Sequence, residues 1–314
     1  MLKNFTLQYC DKNGTVVSNE FTDQSLHKLT LLEVRSNDAA RSCNLLARLV
    51  DLSAFGGEFF WAHRQTTSLD MWDVLVSKQS LAEFLSILVE PSDLDYLCWS
   101  EVKLPPQLLV FDMDSTFIEI EVIDELARRH GVGEQVASVT EAAMLGELDF
   151  AESLVSRVAC LKGLSESTIS EICEILPLSK GVEELVERCH ANHIKIAIVS
   201  GGFTPFVGHL KQTMNLFRVH ANELETSEGQ LTGKVVGDIV DAKAKADFVK
   251  ELAASLNIAA DQVMTIGDGA NDLVMMKESG FSLAYRAKPR VQKEALGRMN
   301  LTSLNHLADV FGWL

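Results

Sequence analysis

The sequence predicts an α/β protein: a doubly wound, mainly parallel sheet with an inserted helical cap, preceded by a smaller α+β domain. Three observations carry that expectation. Beyond residue 106, short apolar runs end in polar or glycine-rich turns and alternate with long helical stretches, as strands buried on both faces do. One of those stretches, roughly 119–182, is helical almost throughout and far longer than a crossover needs. Before residue 103 the order is instead β-α-β-β-α-β.

Taken in order, residues 1–29 are polar and weakly patterned and support no assignment. "KLTLLEVRS" (28–36) reads as a strand and "ARSCNLLARLVDL" (40–52) as an amphipathic helix. "GEFFWAHRQTT" (57–67) and "MWDVLVS" (71–77) follow as strands, "SLAEFLSILVE" (80–90) as a helix and "DLDYLCWSEV" (93–102) as a strand. This is the order of a ferredoxin-like α+β sandwich. Pro105 and Pro106 then deny the chain a helix and mark a boundary. "LLVFDMD" (108–114), "IKIAIVSGG" (194–202), "VMTIGDGAND" (263–272) and "FSLAYRA" (281–287) read as the parallel strands of a Rossmann-like core. The expected units are therefore an N-terminal domain over 1–102, a core over 103–118 and 183–314, and a cap over 119–182.

Composition bounds the function. With 47% hydrophobic and 23% charged residues the chain has ample material for a core. A formal net charge of −16 argues against broad binding to nucleic acid or to anionic membrane surface. No apolar run is long enough to span a bilayer, and "MLKNFTLQYC" lacks the apolar stretch of a secretory signal. Six scattered cysteines without a C-x-x-C pair read as reduced thiols, so a cytoplasmic location is expected.

The chemistry sits at the strand ends. In open α/β sheets, ligands bind beyond the carboxyl ends of the strands. That rule gathers Asp112 and Asp114, "SGG" (200–202) and "GDGAND" (267–272) in one place, with Lys243 and Lys245 on the helix that leads into the last of these. Two carboxylates so close repel one another unless a cation or a proton lies between them. All-oxygen donors suit a hard divalent cation such as Mg²⁺. One carboxylate beside such an ion makes a nucleophile toward phosphorus, and the other makes a general acid and base. Ser200 and the glycine amides suit phosphate oxygens. A polar helix cap at Asp112, a glycine-rich turn at "GDGAND" and a solvated helix face at "EIEVIDE" (119–125) are the bland alternatives for each piece taken alone.

"DMDST", "VSGG", a lysine and "GDGAND", in that order, resemble the haloacid-dehalogenase-like hydrolases. "DMDSTFIEIEVIDE", "AMLGELDF" and "SRVACLKG" resemble segments of the members that hydrolyse phosphoserine. The resemblance implies a Mg²⁺-dependent phosphomonoesterase that converts L-phosphoserine to L-serine and phosphate through an aspartyl-phosphate, the last step of serine biosynthesis. It implies Asp112 as nucleophile and Asp114 as acid and base, with Asp112, Asp114 (by its backbone carbonyl) and Asp268 on the metal and Asp272 in support. Ser200, Gly201, Lys245 and Asn271 would hold phosphate; the family's spacing favours Lys245 over Lys243. Glu121 would take the substrate ammonium, Arg157 its carboxylate, and Met144 and Phe150 would form an apolar lid.

Rivals remain. A related phosphatase or phosphotransferase on another small ester is the nearest. A receiver module also phosphorylates an aspartate, but there the acid pair lies beyond the first strand and the acceptor beyond the middle one. A cation-pumping ATPase would need membrane helices and a D-K-T-G site. The order of elements over 30–102 looks like an ACT-type domain, for which binding an amino acid and forming a homodimer both stay open.

Overall fold

The computed structural model describes residues 9–10, 16–18, 26–34, 59–66, 69–77, 81, 83–84, 95–100 and 105–313. The helix expected over 40–52 lies outside the described residues. So does most of the one expected over 80–90, of which Leu81, Glu83 and Phe84 are helical.

The core begins with β7 (Leu108–Phe111), which lies parallel between β8 (Lys195–Phe203) and β11 (Val263–Gly267). Alternation along these strands explains why they read as unbroken apolar runs. Leu109, Phe111, Ile196, Ile198, Met264 and Ile266 pack into one hydrophobic cluster, while Leu108, Val110, Ala197, Val199 and Val263 pack into another. Each face meets its own layer of helices. β12 (Phe281–Tyr285) and β13 (Gly297–Met299) extend the sheet in parallel on one side. On the other side β9 (Arg218–Ser227) pairs parallel with β8 and turns into β10 (Gln230–Val236), an antiparallel hairpin that alternating polar residues had hidden.

Between β7 and β8 the chain forms five α-helices, of which the first four are α1 (Val122–His130), α2 (Gly133–Met144), α3 (Phe150–Cys160) and α4 (Glu166–Cys173). Their apolar faces join the cluster under β7 through Leu126, Leu154, Val158 and Ile172, among others. After them come α5 (Val182–Ala191), α6 (Thr204–Thr213) and α7 (Ala242–Leu256).

Ahead of the core, β3 (Leu26–Val34), β4 (Phe59–Gln65), β5 (Leu69–Ser77) and β6 (Asp95–Ser100) pair antiparallel in the spatial order β6-β3-β5-β4. β1 (Tyr9–Cys10) and β2 (Val16–Ser18) add a short ribbon beyond β4. β6 also pairs antiparallel with β13, so the strands join in one continuous sheet. A side chain at Gly297 would collide with the backbone of Tyr96 and Leu97, which makes glycine the residue that permits this seam. Two polar links, one buried and one part-buried, tie the strands on either side of it together. The fully buried Asp95 carboxylate accepts from the amides of Asn300, Leu301 and Thr302 and from the Thr302 hydroxyl. Arg64 donates to Asp73 and also to the carbonyls of Asp309 and Val310. Among the described residues, no helix is long and apolar enough to cross a membrane.

Candidate active site

The fold brings the ends of β7, β8 and β11 together at one cavity of about 130 Å³, capped by the helical insertion. Asp112, Asp114, Glu121, Phe150, Arg157, Gly201, Asp268 and Asn271 line it. Ser200, Lys245 and Asp272 lie buried behind that lining. Met144 ends α2, and its side chain lies outside the described residues.

Each carboxylate has a distinct setting. Lys245 Nζ lies 2.8 Å from Asp112 Oδ1 and 2.8 Å from Asp272 Oδ1, with about 1% of its side chain exposed. Lys243 lies on the same helix but turns to solvent and pairs with Asp247. The Lys245 ammonium is held charged because its two carboxylates outweigh burial. One cation between two buried acids leaves the pair short of positive charge. Burial first, and then Asp272, push Asp112 well above the ordinary carboxylate range, with Lys245 opposing. Asp268 is raised to about 6 by burial, with Asp272 and Glu121 adding to it.

Oxygen atoms of Asp112, Asp268 and Asp272 lie within 4.8 Å of one another, a donor set that fits a hard divalent cation. Burial and the shared neighbour Asp272 raise the protonation ranges of both Asp112 and Asp268.

Asp114 stands apart from that trio. Its Oδ1 accepts from the Val122 amide at 2.8 Å and its Oδ2 from the Ser200 hydroxyl at 3.2 Å. Burial, followed by the charge of Glu121, raises it to about 7. Ser200 also accepts from the Gly202 amide, which ties the "SGG" turn to the acid. A Cβ at Gly202 would come within 2.6 Å of Asp114 Oδ2, so the turn needs glycine to reach the carboxylate. Asn222, which sequence reasoning missed, clamps the same turn from β9: its amide donates to the Gly201 carbonyl and its oxygen accepts from Val240 N.

On the insertion, Asp149 and Glu152 form a reciprocal cap that starts α3. Phe150, Leu154 and Arg157 then fall on one face of that helix and all reach the cavity. Phe150 packs over Gly201, where an added Cβ would sit 3.0 Å from its ring. Among the described residues Arg157 makes one long bond, from Nε to the Ser153 carbonyl at 3.4 Å, which leaves most of its guanidinium for a ligand.

No helix begins directly after Asp114. Instead Asp114 and Ser115 have non-helical backbones, Ile118 is extended, and α1 begins only at Val122 with Glu121 as its N-cap. Glu121 still reaches the cavity, through a tight chain reversal. Sequence reasoning also missed Lys288, which lines the cavity mouth and whose amide bonds the Asp268 carbonyl. It stands just before Pro289, a local signal for a helix start that carries no hint of the site.

Known proteins resemble this chain in sequence and in fold. The family profile described as haloacid dehalogenase-like hydrolase matches residues 109–277, more than half of the chain. A phosphoserine phosphatase of Vibrio cholerae is 45% identical over 244 residues, which cover 75% of this chain and 74% of that protein. A crystal structure of a HAD family hydrolase from Salmonella enterica serovar Typhi superposes with a TM-score of 0.80 at 28% identity, over 90% of this chain and 97% of that one. That of a probable phosphoserine phosphatase from Vibrio cholerae, unliganded, gives 0.72 at 36% identity, over 91% and 86%. The chain belongs to the haloacid dehalogenase-like hydrolases.

Proposed function

We propose that this chain hydrolyses L-phosphoserine to L-serine and phosphate. The observation that carries the reading is that one small cavity holds an acid pair with raised protonation ranges and, opposite it, a carboxylate and a guanidinium. The phosphoserine phosphatase relative above supports the substrate.

In this reading the Asp112 carboxylate attacks phosphorus and Asp114, protonated near neutrality, gives its proton to the departing serine oxygen. The same Asp114 then takes a proton from the water that hydrolyses the aspartyl-phosphate. Lys245 and the "SGG" amides offset charge on the phosphoryl oxygens, with Ser200 and Asn271 beside them. A divalent cation, which we take to be Mg²⁺ held by Asp112, the Asp114 carbonyl and Asp268 with Asp272 in support, supplies further positive charge there when bound. Glu121 receives the ammonium and Arg157 the carboxylate, for which a planar fork suits better than a lysine. Phe150, with Met144, excludes water. Residues 119–182 thus serve as the cap and 103–118 with 183–314 as the core. The N-terminal antiparallel sheet has the strand order of a ferredoxin-like or ACT-like unit, and we assign residues 1–102 to it. The six scattered cysteines, without a C-x-x-C pair, support action in the reducing cytoplasm.

The test is phosphate release from L-phosphoserine, phosphothreonine, phosphoglycolate and a sugar phosphate, each with Mg²⁺ and with EDTA. Metal-dependent preference for L-phosphoserine is expected. Preference for another ester would keep the phosphatase and reject the substrate.

A further inference from the structure

We propose that Ser115 is a positioning residue that aims the Glu121 carboxylate at the substrate amine. The inference rests on the reading of Glu121 given above and adds a residue to it. Ser115 follows Asp114 and has a φ of 55°, the left-handed region that side chains other than glycine and asparagine seldom adopt. That backbone lets the chain reverse on itself: the Ser115 amide donates to the Ile120 carbonyl at 3.2 Å, and the Val122 amide donates to Asp114 Oδ1 at 2.8 Å. Across the reversal the Ser115 hydroxyl donates to Glu121 Oε1 at 2.7 Å. The bond is charge-assisted and therefore directional.

A capping or bracing hydroxyl would bond the backbone. The backbone-capping roles here fall to other groups: Asp112 caps Met113, and Asp114 takes the Val122 amide. Glu121 is the N-cap of α1 but its side chain makes no capping bond, so nothing in the helix start fixes its carboxylate. It is also exposed and long enough to swing into solvent. The Ser115 bond is what holds it over the cavity, where both oxygens of a carboxylate remain open to further donors.

Removing the hydroxyl should therefore injure recognition of the amine and little else. Ser115→Gly accepts the positive φ without strain, and Ser115→Ala keeps the Cβ, so the pair separates loss of the hydroxyl from change of the backbone. The readout is the ratio of kcat/KM for L-phosphoserine to that for 3-phosphooxypropanoate, which has the same phosphate and carboxylate but no amine. Both variants should lower that ratio about tenfold, through KM for L-phosphoserine, with the analogue changed no more than about twofold. In the double variant Ser115→Ala/Glu121→Gln the ratio should fall no further than with Glu121→Gln alone, because the hydroxyl acts through that carboxylate. An equal loss on both substrates would mark Ser115 as structural and overturn the inference. So would a ratio unchanged in the Ser115 variants while Glu121→Gln collapses it. If Glu121→Gln also leaves the ratio intact, the amine reading itself fails, and this inference with it.

Discussion

Asp73 and Asp112 are both buried carboxylates on one continuous sheet, and they meet opposite surroundings. Asp73, on β5, has Lys28 at 3.3 Å, Arg64 at 2.6 Å and the Thr30 hydroxyl at 2.6 Å. Burial pushes its pKa up, yet the charges of Lys28 and Arg64, with hydrogen bonds from Arg64 and Thr30, outweigh burial and hold it below the ordinary value. Asp112 shares a single lysine with Asp272 and has Asp114 two residues on, so burial and its acidic neighbours prevail. Burial alone therefore does not mark a functional acid. A carboxylate supplied with enough cations stays charged and holds the fold, while one left short accepts a metal, a proton or a phosphoryl group.

The comparison can be broken from either side. Asp112→Asn should lower turnover by about 10⁴-fold or more while leaving the melting temperature no lower than that of the parent. Asp73→Ala should do the reverse. It removes the buried carboxylate that Lys28 and Arg64 share, so urea titration should show a loss of about 3–5 kcal/mol, with kcat/KM of the folded fraction nearly unchanged. Asp95→Asn, which turns an amide toward the donors of residues 300–302, should cost about 1–2 kcal/mol at the seam between β6 and β13.

The pH dependence sharpens the same contrast with a smaller effect. Asp114 binds its proton more tightly in the folded chain, so its contribution to stability is complete below the unfolded value near 4 and is lost as pH rises through about 7. Asp73, lowered, contributes above its unfolded value and loses that contribution as pH falls through the folded one. In EDTA, going from about pH 8 to about pH 6 should raise the melting temperature, and Asp114→Asn should flatten that slope. Added Mg²⁺ should stabilise strongly at about pH 8 and weakly at about pH 5, where Asp268 and its neighbours take protons instead.

The candidate site was legible in the sequence because its acids are local. "DMDST" and "GDGAND" place acids at strand ends, and the strand-end rule alone then brings Asp112, Asp114 and Asp268 together. Apolar runs such as "LLVF" and "IAIV" announced the core strands for the same reason. What stayed hidden depends on contacts distant in the chain or on backbone geometry without a residue signature. Asn222 reads as an ordinary strand residue until its bonds to Gly201 and Val240 are seen. The β9–β10 hairpin is half exposed, so its alternation lacks the apolar weight of the buried strands. Ser115 carries no sequence signature of its own, and only its positive φ reveals the reversal that carries Glu121. The seam of β6 with β13 joins residues some two hundred positions apart.

The central claim is that Asp112 carries the phosphoryl group. Its most direct test is to mix the enzyme with L-phosphoserine and Mg²⁺, quench in acid and map the protein by mass spectrometry. The account predicts that the peptide holding Asp112 gains the mass of one phosphoryl group, labile to alkali and absent in Asp112→Asn. Steady turnover of phosphoserine with no phosphorylated peptide, or with the label on another residue, would contradict it.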